Sequence, residues 1–182
     1  LNLTGGTVTV SEDDASELAG LNVTTLNLTS AGAVTDSGNL AVSGAATIDA
    51  GSNAVTLGDG ASETTNFGSL NLTGGTVTVS EDDASELAGL NVTTLNLTSA
   101  GAVTDSGNLA VSAAATINAG SNAVTLGDGA SETTNFGSLN LTGGAVTVTE
   151  DSASDLAGVS ATALTLTSTG AVTDSGNLTV SG

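Results

Sequence analysis

Leu70–Asp83 reads LNLTGGTVTVSEDD, and the same stretch opens the chain at Leu1–Asp14. A close variant, LNLTGGAVTVTEDS, occupies Leu139–Ser152. The three openings are evenly spaced. The chain is therefore a 69-residue unit read as 1–69, 70–138 and a partial third copy, 139–182. Fixed-period self-similarity of this kind is the mark of a repeat architecture, in which each unit buries its apolar face only against its neighbours.

Within the unit, apolar and polar residues alternate. Thr7-Val8-Thr9-Val10 and Leu26-Asn27-Leu28-Thr29 both have period two, which puts alternate side chains on opposite faces of a strand. No stretch sustains a helical period; Asp13–Leu18 could form one helical turn at most. Gly5-Gly6, Asp36-Ser37-Gly38, Gly51-Ser52-Asn53 and Gly58-Asp59-Gly60 punctuate the strands as turns. Copies one and two differ only at Gly44/Ala113 and Asp49/Asn118. The third copy differs from 1–44 at eleven positions, yet Leu1, Leu3, Val8, Val10, Leu18, Leu26, Leu28, Val34, Leu40 and Val42 all recur. Changes fall mostly between them, as in Thr7 to Ala145 and Ala41 to Thr179. The recurring set is the expected interior and the drifting set the expected surface.

Strands this short cannot bury a face alone. Stacked in parallel, coil on coil at about 4.8 Å, they satisfy each other's backbone groups and line up Val and Leu columns. The expected fold is all-β: a right-handed parallel β-solenoid (β-helix) with about three coils per 69-residue repeat, forming one segment over 1–182. The coils divide as Leu21–Asn39, Leu40–Ser69 and Leu70–Gly89, with a loop near Ala61–Asn66 taking up the extra length of the second. Antiparallel propeller blades are the competing repeat. They would want hairpin turns and aromatics, and the unit is long for a single blade. The chain opens on LNLT and closes on SG, both inside a repeat, and reads as an excerpt of a longer array.

Composition narrows the function. There is no Lys, Arg, His, Cys, Met, Pro, Trp or Tyr, only two Phe, and a formal charge of −19. Without cationic side chains nothing can neutralise nucleic-acid phosphates or an anionic membrane surface. No apolar run reaches the roughly 18 residues of a membrane-spanning helix. Absent cysteine removes disulfides, zinc thiolates and thiol catalysis. Absent Pro suits a fully paired sheet, where it would lose a ladder bond.

Gly32–Gly51, GAVTDSGNLAVSGAATIDAG, with its echo at Gly101–Gly120, resembles the β-strand repeats of very large bacterial surface proteins, including the filamentous-haemagglutinin-like adhesins. That resemblance implies secretion, a β-helical shaft, an extracellular or cell-surface location, and a role in adhesion, biofilm or sheath formation.

The candidate site residues are acidic. Glu12, Asp13, Asp14 and Glu17 cluster at a turn and recur as Glu81, Asp82, Asp83 and Glu86. Hard oxygen ligands at a turn suit Ca²⁺, which takes about six to eight oxygens; a solvated acidic corner is the alternative. With three coils between them, successive clusters would lie about 14 Å apart, beyond the roughly 8 Å screening length. Gly58-Asp59-Gly60 resembles Ca²⁺-binding nonapeptide repeats but lacks their tandem period. Asp36, Asp105 and Asp174 sit in identical TDSG turns, where an Asp is expected to cap its own turn. Phe67 and Phe136 are expected to pack in the core; stacking on a sugar is the alternative. Asn-x-Thr sequons at Asn2, Asn22, Asn27, Asn71, Asn91, Asn96, Asn140 and Asn177 are sterically open to glycans.

No catalytic residue is expected. β-Helical polysaccharide lyases rely on Lys, Arg or His. Carboxylate pairs that could serve a glycosidase repeat in every unit without forming one distinctive cleft. The function expected is that of a structural protein, not an enzyme: an extracellular shaft or filament whose partner is itself, by head-to-tail stacking or covalent continuation of repeats. The alternative is a calcium-dependent adhesin stalk that binds a partner surface such as a cell-surface glycan.

Overall fold

A computed structural model describes residues 1–182. Seventeen strands and no helix make one continuous sheet. Every pairing is parallel. The chain winds as a β-solenoid of about nine turns. The alternation read from the sequence is the alternation of burial. In Leu40–Asp49, for example, Leu40, Val42, Ala46 and Ile48 point inward and Ala41 and Ser43 outward.

The register shows how repeat and coil relate. Leu3 pairs with Leu21, Leu21 with Leu40, and Leu40 with Thr65. Three coils thus carry the chain from Leu3 to Thr65, whereas the repeat brings Leu3 back only at Leu72. Leu70 does not sit over Leu40, as the likeness of LAVS and LNLT suggested; it pairs with Ala46. Thr65, itself buried, holds the place above Leu40. The repeat therefore advances by three coils and a fraction. Equivalent residues of successive copies fall in different columns around the rod. One interior column runs Ser16, Val34, Val55, Val77, Leu95, Ala115, Leu139, Leu156.

The core is a single cluster of 39 buried apolar residues, all Leu, Val, Ile and Ala apart from Phe67 and Phe136. Most of the expected inward set is in it, including Leu18, Leu26, Leu28, Val34, Leu40 and Val42. The exceptions lie in the two terminal coils. Leu1, Val172, Leu178 and Val180 are exposed there, and Leu3, Val8 and Val10 are only half-buried.

Turns are held by side chains as well as by glycine. Gly51 N–H donates to Asp49 Oδ1 at 2.9 Å, and Gly120 N–H to Asn118 Oδ1 at the same distance. The one charge difference between copies one and two therefore leaves its turn unchanged. Asn53 donates through Nδ2 to the Ala31 and Ala50 carbonyls, tying neighbouring coils together. The long second coil carries a loop between the strands Val55–Leu57 and Thr65–Glu81, so the extra length sits at 58–64, slightly before the expected Ala61–Asn66. Gly58 opens the loop at φ +72°, in the left-handed region. A β-carbon there would collide with the Ser80 carbonyl of the coil above.

Leu72 is fully buried in mid-rod and Val172 is exposed on the last coil. Leu72→Ala is expected to cost about 2–5 kcal/mol in urea unfolding, as buried Leu truncations do. Val172→Ala, truncating an exposed side chain, is expected to change stability little. Equal costs at the two positions would contradict the stacked core.

Candidate functional site

Two kinds of acidic site emerge from the coil stack. The first contains the residues singled out in the sequence. Glu81 does not join a solvent-facing cluster. It turns inward at the end of its strand, is 4% exposed, and accepts the Phe67 N–H at Oε1, 2.9 Å away. Its Oε2 is buried without a partner. Glu150 repeats the arrangement, accepting the Phe136 N–H at 2.8 Å. Asp82 Oδ2 accepts the Thr65 N–H at 2.8 Å, while Asp83 is exposed and contributes its carbonyl to Ser99 and Gly101. Glu86 accepts the Thr104 hydroxyl and Glu17 the Ser37 hydroxyl, each from the coil above. In the first coil Glu12 is half-buried and Asp13 and Asp14 are exposed.

Glu17, Glu81, Asp82 and Glu86 thus serve separate structural bonds, and no three acids of these clusters bring carboxylate oxygens within 4.8 Å of one another. Nor do the two clusters stack on one corner. Asp14 lies under Gly32, whereas Asp82 lies over Thr65, in the column of Leu3. The fractional coil advance spreads charge around the rod.

Burial pushes the Glu81 carboxyl up to about 7, because the apolar interior disfavours the charged form. Asp83 nearby adds a smaller push in the same direction. The neighbouring Ser85 hydroxyl and the Phe67 N–H pull the other way, although Ser85 Oγ does not reach full hydrogen-bond geometry with any partner.

The second site was visible in the sequence only in pieces. Asp36 Oδ1 accepts the Gly58 N–H of the next coil at 3.0 Å; it does not bond to its own turn, as expected of a TDSG aspartate. The 58–64 loop folds back over this turn and brings Asp59 and Glu63 to it. Asp36, Asp59 and Glu63 each place a carboxylate oxygen within 4.8 Å of the other two, as do Asp105, Asp128 and Glu132. Glu63 Oε2 also accepts the Gly60 N–H at 3.0 Å, which fixes the loop. Burial raises Asp36 and Asp105 to about 6, opposed by the Gly58 and Gly127 N–H groups and reinforced by the adjacent loop carboxylates. Asp36 and Asp59 belong to different coils, and the signal that could have joined them was the surplus length of the second coil.

The remaining candidates resolve simply. Phe67 and Phe136 are each 3% exposed, so they pack in the core, while each also lines the wall of an open groove. The Asn residues of all eight sequons are exposed or half-buried. An open groove of about 540 Å³ crosses several coils where the strands bend. Its polar lining includes Thr73, Asn91, Thr93, Ser112 and Asn135. A smaller one of about 260 Å³ occurs at Asn22, Ser43 and Asn66.

Family comparison agrees with the periodicity. The family described as "Repeats of unknown function (DUF5649)" matches residues 5–71, 74–142 and 143–182, and the chain belongs to it. No curated protein and no solved structure matches the chain.

The raised carboxyls make stability depend on pH. Unfolded, Glu81 titrates near 4.5, and folded near 7. Between those values the folded state holds more protons, so its stability falls as pH rises. The contribution is complete below the unfolded value and is lost through about 7. Asp36 and Asp105 act in the same direction between 3.8 and about 6. Thermal melts are expected to show a higher Tm at pH 5 than at pH 8. Glu81→Gln keeps an acceptor for Phe67 and needs no proton; it should flatten the pH 5–7 part of the profile and raise Tm at pH 8. A variant profile parallel to the parent's would show that Glu81 stays charged in the fold.

Proposed function

We propose that this member of the DUF5649 repeat family is an extracellular structural protein whose β-solenoid serves as a shaft or filament at the cell surface or in the matrix. The observation that carries the reading is the open construction of the rod: its ladders all run along one axis, and nothing in the stack closes it on itself. Each coil pairs with the next through parallel ladders, so the stack lengthens by whole repeats, each covering its neighbour with the same aliphatic chemistry. Head-to-tail contacts that do not close give fibres.

Three further features support it. The polar groups are distributed along and around the rod, as suits a spacer more than a single-cleft catalyst. The absence of Lys and Arg leaves trypsin-like proteases no cleavage site, an advantage outside a cell. The resemblance of Gly32–Gly51 to adhesin shaft repeats points to the same location. A high negative charge keeps such rods from associating sideways, which leaves their ends as the favoured contact.

Immunogold electron microscopy on intact cells that produce the protein tests this. An antibody raised against the 69-residue unit is expected to label filaments or a layer outside the cell before any permeabilisation. Labelling confined to lysed or permeabilised cells would overturn the proposal.

A further inference from the structure

We propose that Asp36, Asp59 and Glu63 hold one calcium ion, and that Asp105, Asp128 and Glu132 hold a second, each ion clamping the 58–64 or 127–133 loop onto the coil beneath it. The inference stands apart from what the rod does outside the cell, since it concerns how adjacent coils are fastened.

The geometry points to a ligand in two independent ways. First, three carboxylate oxygens from two different coils lie within 4.8 Å of one another at each site. Second, Asp36 and Asp105 are 9% and 8% exposed. One oxygen of each, Asp36 Oδ2 and Asp105 Oδ2, is buried with no hydrogen-bond partner. A buried carboxylate oxygen without a partner is costly, and here the cost recurs at the equivalent position of the next copy. The other oxygen of each is occupied, accepting Gly58 N–H at 3.0 Å or Gly127 N–H at 2.9 Å. The free oxygen therefore has a fixed orientation.

The chain itself cannot supply the countercharge, because it contains no Lys, Arg or His. A cation must come from solution. The donors are all hard carboxylate oxygens, with no imidazole or thiolate to favour zinc or copper. Asp59 and Asp128 are exposed, and Glu63 and Glu132 half-buried, so water has access to complete a coordination shell of about six to eight oxygens. That irregular, partly aqueous shell suits calcium better than magnesium, which demands near-ideal octahedral geometry. The loop that completes each site depends on Gly58 or Gly127, both at φ +72°. The geometry is thus specified in the sequence by the GDG turn and the TDSG turn together.

The test is titration calorimetry of the whole chain, stripped with EDTA, against CaCl₂ and separately MgCl₂ at pH 7.5. Saturable uptake of two Ca²⁺ per chain is expected, with Mg²⁺ at least tenfold weaker and Tm higher with calcium than without. Asp36→Asn should halve the stoichiometry, and Asp36→Asn with Asp105→Asn should abolish uptake. Melting without calcium checks that these variants fold, since Asn can still accept the Gly58 or Gly127 N–H. Should either fail to fold, Glu63→Gln with Glu132→Gln replaces it, with the same expected loss. Weak, unsaturable uptake that the double variants leave unchanged would mean a diffuse counterion cloud around a −19 chain and would overturn the proposal. Saturable uptake lost instead on Asp83→Asn would overturn it equally.

Discussion

Every backbone ladder in this protein runs between coils, and the coil and the repeat are out of step. Three coils carry the chain from Leu3 to Thr65, while the sequence returns to the equivalent of Leu3 only at Leu72. Each inward position must therefore stack on different inward positions as the rod ascends. Val77 rests on Val55 and lies under Leu95; Ala115 lies between Leu95 and Leu139. A set of interchangeable, medium-sized aliphatic side chains meets that demand, whereas a specific jigsaw of large residues would meet it in only one register. This accounts for a core built almost wholly from Leu, Val, Ile and Ala. Stability in such a stack accumulates from nearest-neighbour contacts, so no single layer dominates it.

The same phase difference governs electrostatics. With no cationic side chain anywhere, a repeat in step with its coils would pile like charges on one corner at every repeat. The observed advance moves each acidic turn to a new place on the circumference. Where a carboxylate is nonetheless drawn inward, the fold compensates locally: backbone N–H groups at Phe67, Phe136, Gly58 and Gly127 are aimed at Glu81, Glu150, Asp36 and Asp105. Each of those N–H groups belongs to a coil adjacent to that of the carboxylate. The acids are thus part of what joins one coil to the next. Burial raises Asp36, Glu81 and Asp105 because one N–H per carboxylate does not replace the water removed.

Along its axis, the molecule is a chain of similar layers with functional character distributed through all of them. Grooves recur where strands bend, sequon Asn residues recur on the outside, and the acidic loop sites recur once per full repeat. Extending the array would multiply these features without changing any of them. That is the behaviour expected of a shaft, whose length matters more than any one residue.

Period-two alternation and an internal repeat were enough to specify parallel stacking, the interior set and the turn positions, because each depends only on a residue and its near neighbours in sequence. Leu26, Leu28, Val34 and Ile48 are buried for a reason legible in their own tetrapeptides. Only the tertiary structure decided which coil position lies over which. The tetrapeptides LNVT, LAVS and LNLT look alike, yet the loop at 58–64 shifts the register so that Thr65, and not Leu70, follows Leu40. Glu81 shares the inward phase of Val77 and Val79, but only the register set the Phe67 N–H against it and brought Asp59 and Glu63 to Asp36 from the far end of the following coil. Such encounters depend on how much chain each turn of the solenoid consumes, a quantity that no local pattern encodes.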